Sequence, residues 1–141
     1  MKQKPRFQLN RAAVVIRYKQ PYVDWARVAG PEPATDYSLE QANDDGEMFL
    51  IPSYDSPVDA VDGTGDAIKW VEKRWKMLFE YFLGEWILDE SAWPQKRTLK
   101  MFREWFEVEY RSIVWDMGHE PLMIDEWIYD EDDGMDCSVV H

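Results

Sequence analysis

Apolar residues recur along this chain with two different periods, and the switches between them mark out the elements. Arg11 to Tyr18 (Arg-Ala-Ala-Val-Val-Ile-Arg-Tyr) is a short β-branched run bounded by polar residues, which predicts a buried strand. Pro21 then opens a short helix over 22–29, closed by Gly30 and Pro31. Ser38 with Gln41 three residues on is a capping box for one or two further helical turns. Asn43 to Gly46 predicts a turn, and Glu47 to Pro52 a second short strand stopped by its proline. From Asp66, expected as a cap, Ile68, Val71, Trp75, Leu78 and Phe82 step by three and four, predicting one long helix to about Leu83. Trp70, Met77 and Tyr81 form a second stripe beside that face, and Gly84 is expected to loosen its end.

Trp93-Pro94 predicts the start of a short basic helix to about Arg103, and the segment after it fits both periods. Phe106, Val108, Tyr110, Ser112 and Val114 alternate as a strand would, whereas Leu99, Phe102, Phe106, Tyr110, Ile113 and Met117 would suit one long helix. The β-branched and aromatic run Val108 to Trp115 favours a strand over about 106–115. The expected fold is α+β, with a small sheet from 11–18, 47–52 and 106–115 covered by one long aromatic-rich helix and shorter ones. It occupies a single domain over 9–117, between a basic N-terminal arm at 1–8 and an acidic tail at 118–141. The helices between the first two strands allow a right-handed parallel crossover, which would make the sheet mixed. Open edges on so thin a sheet lead to the expectation of a homodimer.

Composition narrows the function classes. With 45% hydrophobic and 15% aromatic residues in 141, the chain can build a proper core. Six of the eight tryptophans fall between Trp70 and Trp115, a block that is either a bulky core or a ligand platform. Neither a membrane-length apolar run nor an apolar leader segment stands out, and Cys137 is the only cysteine, so a soluble cytoplasmic protein is expected. The net charge of −12 is uneven: residues 1–30 carry seven basic groups against Asp24 alone, while no Lys or Arg follows Arg111. That balance disfavours nucleic acid as a partner of the whole surface.

Motifs for chemistry are weak. Asp55, Asp59, Asp62 and Asp66 around Gly63-Thr64-Gly65 match neither register of a calcium-binding loop, and the glycines lack the lysine and hydroxyl of a phosphate loop. His119 and His141 have no metal-ligand spacing. No metal or cofactor is therefore expected. Glu104, Glu107 and Glu109 could supply carboxylates for acid–base work, with Glu107, Glu109 and Arg111 on one strand face. Lys69, Lys73, Arg74 and Lys76, then Lys96, Arg97, Lys100 and Arg103, interleave with aromatics as in a miniature nucleic-acid platform, although helix periodicity accounts for those aromatics as core.

From Leu9 to Trp25, again at Phe49 to Tyr54, over Phe79 to Trp86, and through Trp93-Pro94-Gln95-Lys96-Arg97 to Phe102-Arg103-Glu104-Trp105-Phe106-Glu107-Val108-Glu109, the chain resembles a family of small acidic bacterial proteins. The likeness spans most of 9–115, and it brings no catalytic residues with it. The leading expectation is a non-catalytic interaction protein, with Trp25, Trp86, Trp93 and Arg97 as binding residues because they stand at element ends. Two alternatives are an acidic decoy of a basic nucleic-acid-binding protein, acting through 120–136, and a carboxylate-based, metal-assisted hydrolase.

Overall fold

In the computed structural model, which describes residues 2–126, five helices pack against a three-stranded antiparallel sheet, and a two-stranded sheet stands beside it. The α+β class expected from periodicity is what forms. The main sheet has β2 (Arg11–Tyr18) at its centre, flanked by β3 (Met48–Pro52) and β4 (Phe106–Arg111). β1 (Phe7–Gln8) pairs with β5 (Trp115–Asp116), which ties the N-terminal segment to the chain after the sheet.

β2 is central because its side chains are buried on both faces. Ala12, Val14 and Ile16 face the core, and small Ala13 is covered on the other side. Both partners run antiparallel to it, Ala12 opposite Ile51 and Ile16 opposite Val108. This corrects the expected parallel crossover. The chain after β2 folds into α1 (Gln20–Ala29) and α2 (Leu39–Asp44), two short helices that return it to the end it left, so β3 comes back alongside. The outer face carries Arg17, Glu107, Glu109 and Arg111 beside the exposed Met48 and Leu50.

The single long helix over 66–83 is also corrected. It is two helices, α3 (Thr64–Glu72) and α4 (Trp75–Trp86). Arg74 leaves helical geometry (φ −114°, ψ 19°), and its N–H closes a tight turn onto Val71 O at 2.9 Å. Its guanidinium folds back to donate to Trp70 O at 2.9 Å and lies 3.5 Å from the centre of the Trp70 ring. One arginine thus satisfies a carbonyl freed by the break and covers an indole face. Asp66 is not the cap: Gly63 is, at φ +101°, and the Asp66 carboxylate accepts from the N–H of Asp62.

The basic helix starts later than Trp93. After a 3₁₀ turn at Glu90–Ala92, the Thr98 hydroxyl accepts the Met101 N–H and sets the start of α5 (Leu99–Trp105). The chain passes from α5 straight into β4, so the double periodicity over 99–117 reflects a helix followed at once by a strand. That strand ends at Arg111 rather than 115.

Four phenylalanines from three elements fill the centre: Phe79 and Phe82 of α4, Phe102 of α5 and Phe106 of β4. Their rings meet Phe106 at centroid distances of 5.3, 5.2 and 5.0 Å. Burial of each such ring contributes about 1.5–3 kcal/mol. Of the aromatic block, then, the phenylalanines are the core. Trp70, Trp75, Trp86, Trp93 and Trp105 are only partly buried and pack around it, while Trp115 is exposed.

Candidate functional site

A recess of about 300 Å³ opens where β2, α1, α2 and the C-terminal end of α4 meet. Its walls are Tyr18, Tyr22, Tyr37 and Trp86, and Asp45, Glu47 and Glu85 stand around them. Tyr18 is the last residue of β2, and Tyr22 sits one turn into α1, where Pro21 fixes the helix start. The two rings stack at 4.3 Å with 20° between planes. Across from them Tyr37 stacks on Trp86 at 4.5 Å and 29°.

The three tyrosine walls are each held by a specific bond. The Tyr22 hydroxyl donates to Phe82 O at 2.9 Å, joining α1 to α4. Arg27 Nε donates to Tyr37 O at 2.7 Å and so fixes the loop that carries Tyr37. Asn43 continues the β ladder past its end: its Oδ1 accepts the Tyr18 N–H at 2.8 Å and its Nδ2 donates to Tyr18 O at 3.1 Å. That pairing clamps α2 to the end of β2 and sets Asp45 beside the tyrosines. The expected turn at Asn43–Gly46 is therefore partly the last helical residues of α2. The Tyr81 hydroxyl donates to Glu47 Oε1.

The electrostatics are one-sided. Burial, and then the Glu47 carboxylate, push the Tyr18 hydroxyl far above the ordinary tyrosine range. Tyr22 is raised by burial and by Tyr18, and Tyr37 by burial and by Asp45. All three hydroxyls stay neutral at physiological pH. No Lys or Arg lines the recess, and the last turns of α2 and α4, which end here, carry no basic residue. Carboxylates at the negative ends of two helices add to the same field.

Of the four residues expected to bind, Trp86 alone lines this recess. The indole N–H of Trp25 donates to Ala92 O at 2.9 Å, and that of Trp93 donates to Ile87 O at 2.9 Å, so both brace the segment after α4. Arg97 pairs with Glu80 at 2.7 Å, donates to Pro94 O and lies 5.7 Å from the centre of the Trp93 ring. Within the basic sets, Arg103 grips Glu72 through two nitrogens at 2.8 Å each, and this pairing lowers the Glu72 pKa.

Glu107 and Glu109 share the outer sheet face, where Glu109 lies 3.8 Å from Arg17 Nε, and Glu104 is exposed on α5. None of the three lines the recess. Among the described residues no three His, Cys, Asp or Glu side chains converge to hold a metal ion. No described helix is long and apolar enough to cross a membrane. Asp130 to Asp136, the main charge of the acidic end, lie outside the described residues. A second recess of about 210 Å³ lies between Asp59–Val61 and α3, and there Lys69, Lys73 and Arg74 stand with Asp59 and Asp66, so that cations and carboxylates are mixed.

No family model, curated protein or solved structure matches the chain.

Proposed function

We infer that the protein is a non-catalytic interaction module that seats a group of a protein partner in the recess walled by Tyr18, Tyr22, Tyr37 and Trp86. The observation that carries this reading is the partly exposed surface of Tyr18, Tyr37 and Trp86 around the hollow, with Tyr22 buried behind Tyr18 and hydrogen bonds to the Phe82 and Tyr37 carbonyls bracing it. Rigid aromatics in a preformed hollow are the usual anchors of recognition, because little side-chain freedom remains to be lost on binding. Trp86 is its central contact. Trp25 and Trp93, with their N–H groups already bonded to Ala92 and Ile87 carbonyls, serve the scaffold.

Affinity capture from the source cells, using the full chain, tests this. Trp86→Ala, which also removes a ring packed on the core, is expected to keep the fold while reducing partner recovery at least tenfold, and Lys96→Ala leaves recovery intact. Recovery that is indifferent to Trp86 and to Tyr37→Ala would reject the recess as the interface.

A further inference from the structure

We propose that the group this recess takes is a methylated ammonium cation, an inference that rests on the interaction reading above and names the chemistry of its partner. Three observations converge on a positive ligand of this kind. The partly exposed rings of Tyr18, Tyr37 and Trp86 line the hollow, with Tyr22 buried behind Tyr18, and aromatic rings attract cations through their quadrupole. Asp45, Glu47 and Glu85 surround that surface with no lining Lys or Arg to neutralise them. Both helices that end at the recess lack the basic last turn that would complement their negative termini.

The spacing of these acids decides what kind of cation fits. They do not converge closely enough for a metal ion, which needs several oxygens at bonding distance. Their field instead covers a hollow of about 300 Å³, at the small end of ligand pockets. A methylated ammonium suits such a place. Its charge is spread over methyl groups that pack on rings and ask for no short hydrogen bond, whereas the carboxylates lining the hollow still stabilise it. A primary ammonium would keep its hydration and gain less from the rings.

The source can be a lysine side chain in a partner or a small molecule with the same headgroup, and the test separates the two. Choline, the neutral isostere 3,3-dimethylbutanol and a short peptide bearing trimethyllysine are titrated calorimetrically into the full-length protein at fixed ionic strength. Choline and the peptide are expected to saturate in the millimolar range or tighter, with the alcohol at least tenfold weaker. Glu85→Gln, an exposed position that folding does not depend on, should weaken choline several-fold, and Trp86→Ala should abolish saturation. A peptide that binds at least tenfold tighter than choline assigns the cation to a protein; equal affinities assign it to a small molecule. Equal binding of the alcohol and choline, or no saturation by either cation, overturns the proposal. If Trp86-dependent capture persists in that case, the interaction reading stands and only the cation is rejected.

Discussion

Tyr18 shows how much a single side chain carries here. Its backbone closes the last rung of β2 against the Asn43 amide, its ring stacks on Tyr22, and its edge meets Phe82 at 5.5 Å. The hydroxyl sits where burial and Glu47 both disfavour its ionised form, so its folded pKa lies above the unfolded value. The same sign holds for Tyr22 and Tyr37. A raised folded pKa means that the folded chain holds these protons longer than the unfolded chain does. The stabilisation is complete below about pH 10, the unfolded value, and is lost as pH rises through the folded values. In an alkaline ultraviolet titration, three of the seven tyrosines are expected to ionise late and together with unfolding. Tyr18→Phe should remove part of that late step, and ionisation of all seven in one reversible step near pH 10 would contradict the assignment.

At the scale of elements, the α4 terminus is the segment on which the site depends. Gly84 lies inside the helix, which continues to Trp86 rather than fraying, and a Cβ at 84 would meet the Trp93 ring at 3.6 Å, an ordinary contact. Gly84→Ala is therefore expected to raise stability by roughly 0.5–1 kcal/mol in denaturant unfolding, by helix propensity and a restricted unfolded chain. A loss instead would show that Trp93 tolerates nothing beside it.

The elements themselves were legible to differing degrees. The β-branched run of β2 and the Ser38–Gln41 capping box declare themselves, because strand burial and cap chemistry are local properties. The break between α3 and α4 was not legible, because the apolar period runs through it. What breaks the helix is the Arg74 side chain, which replaces a backbone hydrogen bond to Trp70 O, and neither Gly nor Pro marks the place. Strand direction was equally hidden, since two short helices between strands can return the chain on either side.

Across the whole molecule, the recess gathers residues from Tyr18 to Trp86, drawn from a strand end, two helices, a loop and the terminus of a third helix. No motif could have announced it, because its members are neighbours only after β3 returns alongside β2. The sequence did carry one usable signal: helices ending in Asn43-Asp44 and Gly84-Glu85-Trp86 with no Lys or Arg in the last turn. The measurement that tests the recess as a binding site most directly is the indole region of the ¹H–¹⁵N spectrum during a choline titration, where all eight tryptophans report. The account predicts that the Trp86 indole shifts progressively and to saturation, while those of Trp25 and Trp93, bonded to Ala92 and Ile87 carbonyls, stay in place. Shifts centred on Trp70 or Trp93, or an unmoved Trp86, would contradict it.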